Sequence, residues 1–364
     1  MPKQSAPQPL NESMIFLSTL LLSPRGRDSV LSRGITNISR NEFDALLNLA
    51  NTNHVVIRGL EVLFRLTCDA RDGMRSEWVA TAFAAENARI KNAILFLHEI
   101  CAAFEEEGLD VTVIKSLDHW PDLGSDLDLY TSANPVLVSQ LMKKRFHAEI
   151  ASRSWGDRLA CKWNFLIPGL PEVVEIHMGR LGQTGEQVRI ASRLPGRAWV
   201  IQIEGLAFRV PAISDRIMIS TLQRMYRHFY FRLCDIIDSA GLVETGTINY
   251  EDLRVSAMAA GIWEGAATYL AIVSDYVKQY RGTGLDLPES VSAAARFGGA
   301  EIYFAHDFLR VPIMPQSASL YGAQLAGLLR KRELNNSARL GLLPWLATAA
   351  VVGQKLTGSD KGIW

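Results

Sequence analysis

Through roughly the first 108 positions, apolar residues recur every three or four places, the spacing of one helical face. Ser39-Arg40-Asn41-Glu42 carries a capping box, with Ser39 as N-cap and Glu42 three residues on. It opens a predicted helix over 42–51, whose Phe43, Leu46, Leu47 and Ala50 share a face. A longer helix is predicted over 76–107, carried by Phe83, Ile90, Ile94, Leu97, Cys101 and Phe104. The triplet Glu105-Glu106-Glu107 and then Gly108 mark its end.

At Leu109 the period shortens. A β-branched run over 111–115 predicts a strand, and a loop through Trp120-Pro121-Asp122 leads to a second over 126–130. A helix is predicted over 135–146, then strands near 148–154, 161–167 and 173–178, the last two separated by the turn Pro168-Gly169-Leu170-Pro171. A hairpin over 198–203 and 207–210 turns at Glu204-Gly205. From 215 the helical period returns, with one long helix over 215–239, a second capped by Asn249 with Asp252 in its first turn, and an alanine-rich one over 257–276. No Gly/Pro-rich linker, low-complexity tract or internal repeat interrupts the chain. The organisation expected is α+β, with an N-terminal helical domain over 1–108, an α/β core over 109–212 and a C-terminal helical domain over 213–364.

Composition narrows the class. Hydrophobic residues make up 48% and charged residues 21% of the 364 positions, the balance of a globular chain with a substantial core. The 38 basic residues offset 38 acidic ones, so no global field draws the chain to nucleic acid or an anionic membrane. With no dense basic patch, stable DNA binding is not expected. Cys68, Cys101, Cys161 and Cys234 lie far apart without a CxxC pair, which argues against a zinc site or disulfide framework and fits a reducing cytoplasm. The apolar run 14–22 has the look of a signal-peptide core, yet only Lys3 precedes it and no small-residue cleavage site follows. The apolar stretch 340–353 is too short to span a bilayer and contains Pro344; a packed terminal helix is expected there rather than a membrane contact. GxSxG, P-loop, HExxH and strand-linked GxGxxG motifs are absent.

The chemistry concentrates in Gly124-Ser125-Asp126-Leu127-Asp128-Leu129-Tyr130. Acids are depleted in strands, and like charges at close range repel, so a positive group is expected between the two aspartates. Residues i and i+2 of a strand point the same way, roughly 6.6 Å apart. Asp126 and Asp128 therefore project together while Leu127 and Leu129 face the core. Glu175 shares a strand face with Val173 and His177, opposite Val174, Ile176 and Met178. Beside the aspartates it completes a three-carboxylate cluster able to hold Mg²⁺ or Mn²⁺, hard cations that take oxygen ligands. Two such ions sit about 3.5–4 Å apart in phosphoryl-transfer sites. The plainer alternative is a pair of solvated strand-end acids.

Secondary candidates have plain alternatives as well. Lys115 is placed to meet phosphate or simply solvent, and His177 to orient substrate or to sit as an ordinary hydrogen-bonded histidine. On the predicted 215–239 helix, Arg224, His228, Arg232 and Asp235 fall on one stripe, read either as contacts to phosphate or base, with Asp235 holding Arg232, or as inter-domain ion pairing. Trp120 is a candidate for base stacking or for loop packing; Trp163 and Trp263 read as core.

The stretches "VIKSLDHW", "GSDLDLY" and "VVEIHMGR" together resemble the nucleotidyltransferase fold of the DNA polymerase beta superfamily, and more closely its branch of uncharacterised nucleotidyltransferases. The resemblance extends into "YRHFYFRLCDIIDSAGLVETGTINYEDL" and, more loosely, "FDALLNLANTNHVV", covering most of 40–280. It implies a mixed-sheet core flanked by helices, Asp126 and Asp128 as metal ligands, and Glu175 as ligand or general base. It further implies a Gly/Ser loop at Gly124-Ser125 and phosphate contacts from Lys115 and Ser116, with His177, His228 and Arg232 near the nucleotide. The reaction implied is attack of an acceptor hydroxyl on the α-phosphate of a nucleoside triphosphate, ATP being the expected donor. The acceptor is a small molecule, a protein or an RNA end. One departure stands out: the family's first loop carries a glycine that lets backbone N–H groups approach phosphate, whereas here it reads Ile114-Lys115-Ser116-Leu117. That loop favours a second reading, a non-catalytic nucleotide-binding or protein-interaction module. The three acids oppose it, because idle ligands leave negative charge uncompensated.

Overall fold

Capping residues set the first helix boundaries in the computed structural model, which describes residues 12–23 and 37–346. The run read as a possible signal core is helix α1 (Glu12–Leu22), with Met14, Leu17 and Leu20 buried. Ser39 and Glu42 form the predicted capping box at the start of α2 (Arg40–Thr52). Helix α3 (Val56–Asp69) follows, and α4 (Gly73–Glu106) begins three residues before the expected position. Asp72 explains the difference, since its side chain accepts the Arg75 N–H and caps the helix one residue before Gly73.

The next segment builds a mixed five-stranded sheet in the order β1-β2-β5-β4-β3. Its members are β1 (Thr112–Val113), β2 (Asp126–Thr131), β3 (Glu149–Ile150), β4 (Lys162–Leu166) and β5 (Val173–Met178). Strands β2 and β5 run parallel and side by side, and the remaining pairs are antiparallel. Helix α5 (Pro135–Phe146) lies between β2 and β3 in sequence, opened by Asn134 as N-cap with Pro135 at its first position. The strand expected over 148–154 shortens to β3, because Ser154 and Asp157 form a capping box and start the short helix α6 (Trp155–Leu159). After α7 (Val188–Arg197), the hairpin β6 (Trp199–Ile203) and β7 (Leu206–Val210) forms a separate two-stranded sheet. Glu204 and Gly205 both take positive φ at its turn, the twist that suits a two-residue hairpin loop.

The C-terminal region departs from the sequence reading. The single helix expected over 215–239 is instead α8 (Ile213–Thr221), a π-helical turn (Leu222–His228), strand β8 (Tyr230–Phe231) and α9 (Leu233–Glu244). Phe229 in left-handed conformation ends the π-turn, and β8 pairs with a strand some eighty residues downstream. Helices α10 (Tyr250–Ala260) and α11 (Trp263–Arg281) split the expected alanine-rich helix at Gly261, whose φ of 74° suits a C-cap. Helix α12 (Glu289–Ala294) precedes β9 (Tyr303–Ala305) and β10 (Phe308–Arg310), which complete a three-stranded sheet in the order β8-β10-β9. The region is thus not wholly helical. Helices α13 (Ala318–Arg330) and α14 (Leu334–Gly341) follow; of the expected terminal helix, positions 347–353 lie outside the described residues.

Two hydrophobic cores hold these layers. Ile90, Ile94 and Leu97 of α4 pack with Leu127, Leu129, Val174 and Ile176 on one face of the sheet. Helices α1 to α3 share the other core with the helices that follow the sheet, and Ser18 Oγ meets Tyr276 OH at 2.8 Å between α1 and α11. Trp263 is buried in this core, while Trp163 is only half-buried, under the Arg153 guanidinium. Among the described residues no helix is long and apolar enough to cross a membrane. All four cysteines are free, with Cys68 exposed and Cys101 and Cys234 buried; burial pushes the Cys101 thiol up to about 12. A thiol reagent on the native protein is therefore expected to modify Cys68 first and to spare Cys101 until unfolding. Peptide mapping that finds Cys101 modified in the native state would contradict this packing.

Candidate active site

Strands β2 and β5 bring the acids together. Asp128 is the register partner of Glu175, and Asp126 that of Val173, so the three carboxylates lie on one face of two adjacent strands. Asp126 is exposed at the start of β2, whereas Asp128 is buried. Among the described residues, ligand atoms of Asp128, Glu175 and His177 lie within 4.8 Å of one another, a set that does not include Asp126.

The positive charge stands between Asp128 and Glu175 and not between the two aspartates as expected, and in this structure lysine supplies it. Lys115 pairs with Asp128 Oδ1 and lies 3.5 Å from Glu175 Oε1. Lys162, from the neighbouring β4, donates to Glu175 Oε2 at 2.8 Å and lies 2.8 Å from Asp157 Oδ1. His177 Nε2 lies 2.8 Å from Glu175 Oε1. Burial pushes Asp128 up to about 7, against the pull of Lys115. Burial acts on Glu175 in the same direction, but Lys115, the His177 hydrogen bond and Lys162 hold it well below the usual carboxylate range. Burial drives His177 down to about 4. The ring is therefore neutral, with Nε2–H donating to Glu175 and a buried Nδ1 that has no hydrogen-bond partner among the described residues. Asp126 is raised by its surroundings and by Glu175.

The loop lacking a glycine solves its backbone problem with a lysine. Lys115 sits at φ 65°, ψ −53°, and Ser116 N–H donates to Ile114 C=O at 2.7 Å, which makes a γ-turn. A non-glycine residue in such a region costs about 1–3 kcal/mol, and the turn aims the Lys115 ammonium at the acids. The Ser116 hydroxyl is used internally, donating to Asp126 C=O at 3.3 Å and accepting Asp128 N–H at 2.7 Å. Its single proton is thereby directed at the strand rather than at the cavity. Gly124 serves a neighbour: a Cβ there would lie 2.7 Å from the His54 ring. Ser125 is exposed, and Trp120 packs against the sheet core from its loop.

Basic residues share a cavity with the acids. A cavity of about 130 Å³ is lined by Lys115, Asp126, Asp128 and Glu175 and also by Arg224, Arg227, His228 and Arg232. The π-helical turn carries Arg224, Arg227 and His228, and Arg232 follows β8. They reach one cavity by that irregular path and not as a stripe on one helix. Asp235 pairs with Arg224 at 2.8 Å, and its carboxylate accepts the Arg232 backbone N–H at 2.7 Å; it does not hold the Arg232 side chain as expected. Burial and the neighbouring arginines keep His228 well below the ordinary histidine range. Tyr230 also lines the cavity, stacked on Phe308 at 4.1 Å, with the Arg232 guanidinium 5.7 Å from its ring.

Sequence reasoning passed over Lys162, Asp157, Arg227 and Tyr230. The only signal for Lys162 was a lone cation in a mostly apolar strand, which does not by itself place it beside Glu175. In comparisons with known proteins, the chain matches no family model and no curated protein.

The donor set suits a hard divalent cation. Asp128 and Glu175 offer oxygens that converge, and Asp128 is still short of positive charge with Lys115 beside it.

Proposed function

We propose that the chain is a metal-dependent nucleotidyltransferase that transfers an NMP group from an NTP, ATP first, to an acceptor hydroxyl. In this reading the five-stranded sheet is the nucleotidyltransferase core and the helices around it are flanking elements. One observation carries the reading: three carboxylates on adjacent strands line a single small cavity together with three arginines and a histidine. That volume is below the roughly 300–1,000 Å³ of sites that enclose a whole small molecule, and suits a phosphate chain with the nucleoside towards the mouth.

Asp126, Asp128 and Glu175 would hold Mg²⁺ or Mn²⁺, which supplies charge neutralisation at the phosphates and activation of the attacking oxygen. Arg224, Arg227 and Arg232 bind phosphate oxygens through fixed N–H forks. Lys115 pairs with Asp128 and lines the cavity, placed to meet phosphate. Glu175, held ionised by its neighbours, suits ligation better than proton abstraction.

The test is incubation of the purified protein with each α-labelled NTP, Mg²⁺ or Mn²⁺, and an extract of its source, with pyrophosphate release followed in parallel. Label on a discrete acceptor together with pyrophosphate is the expected outcome. MgNTP binding without pyrophosphate release would move the site to the second reading, a non-catalytic nucleotide-binding or protein-interaction module. Lys115 and Lys162 favour that reading specifically, because they already compensate the acids and remove the argument that idle carboxylates are intolerable.

A further inference from the structure

A second cluster stands in the cavity wall, apart from the carboxylates. His54 comes from the α2–α3 junction, His119 from the loop before β2, and Cys234 from the first turn of α9. One ligand atom from each lies within 4.8 Å of the others. His119 Nε2 and Cys234 Sγ are 3.7 Å apart. Tetrahedral zinc, with Zn–N about 2.0–2.1 Å and Zn–S about 2.3 Å, requires its ligands about 3.3–3.6 Å apart. Two of the three are thus nearly at bonding separation, and the His54 ring lies within 4.8 Å of both.

The surroundings hold these side chains in place. Asn53 is fully buried and accepts the Leu233 N–H through Oδ1 at 3.1 Å, while its carbonyl accepts the Cys234 N–H at 3.2 Å. This pins the residue before His54 to the start of α9. His54 itself takes φ 53°, and glycine at 124 makes room for its ring. Its Nδ1 is buried without a hydrogen-bond partner among the described residues, an exception among buried polar atoms that calls for a reason. His119 Nδ1 lies 2.6 Å from Asp238 Oδ2, and Asp238 Oδ1 is held by Arg58 at 2.7 Å. A carboxylate behind one ring nitrogen fixes the other towards a metal, the usual support of a zinc-bound histidine.

We propose that His54, His119 and Cys234 bind one zinc-type ion, with a fourth position open towards the cavity. Two imidazoles and a thiolate select zinc over the magnesium suited to the carboxylates. His54 and His119 line the cavity and Cys234 lies behind them, so the ion sits at its wall. The alternative use of the same atoms, a Cys234–His119–Asp238 nucleophilic triad, is disfavoured because the thiol is fully buried and closed to substrate. This inference does not depend on nucleotidyl transfer.

The test is titration of chelator-treated full-length protein with Co²⁺, followed by the thiolate-to-cobalt absorption band. One Co²⁺ per chain with that band, displaced by Zn²⁺ and not by excess Mg²⁺, is expected. His54→Ala and Cys234→Ser each abolish the band, Asp238→Asn weakens binding about 10–100-fold, and Asp128→Asn leaves it intact. His54 is on the cavity side, so its variant decides the matter even if Cys234→Ser does not fold. Absence of the band in the wild type, its survival in His54→Ala, or its loss in Asp128→Asn alone would each overturn the assignment.

Discussion

Asp128→Asn is expected to lower pyrophosphate release by about a thousandfold, since charge stabilisation by a bound metal is worth several kcal/mol and each 1.4 kcal/mol is a factor of ten. The substitution keeps the shape of the side chain and removes its charge. Lys115 then loses its nearest partner but stays 3.5 Å from Glu175, which is itself tied to Lys162 and His177. The fold should therefore survive. Asp126→Asn is the cleaner companion, because Asp126 is exposed at the mouth and its loss disturbs no buried ion pair. A fall in turnover with unchanged unfolding midpoint in Asp126→Asn would tie the effect to chemistry. Both variants retaining full turnover would remove the carboxylates from the reaction and leave the cavity arginines as the binding feature.

The parts of this site that were legible share one property: their signal is local. Alternation in 126–130 and 173–178 is enough to place Asp128 and Glu175 each on one face of its strand, away from the core leucines and isoleucine, and α5 and β5 start where Asn134-Pro135 and the Pro171 turn indicate. Pairings across the sheet were not legible. Lys162 compensates Glu175 only because β4 lies antiparallel to β5, and no spacing along the chain encodes that neighbour. The 215–239 segment has strong helical periodicity, yet Tyr230 and Phe231 are drawn into a sheet with β10. Long-range pairing overrides local propensity there, and it delivers Arg224, Arg227 and Arg232 to one cavity. His54, His119 and Cys234 are separated in turn by 65 and 115 positions, so spacing rules for zinc ligands pass over them.

The largest effect on stability is expected at Asp235. Arg224 is 1% exposed, and its charge is met by Asp235 Oδ2 at 2.8 Å, an atom that also caps α9 through the Arg232 N–H. Asp235→Ala strands a buried guanidinium and uncaps the helix together, so a loss of about 3–5 kcal/mol is expected in urea unfolding. Arg224→Met should cost less, because Asp235 keeps its backbone hydrogen bond and the favourable field of a helix N-terminus. That order distinguishes the two roles Asp235 plays: equal losses would mean that the ion pair alone matters. Arg224 Nη1 has no hydrogen-bond partner among the described residues, and the side chain lines the cavity. An oxyanion bound there completes its hydrogen bonding, so pyrophosphate should raise the wild-type midpoint according to RT ln(1 + [L]/Kd). The same addition should do much less for Arg224→Met. An equal rise in both proteins would place the anion elsewhere and make Arg224 a structural charge only.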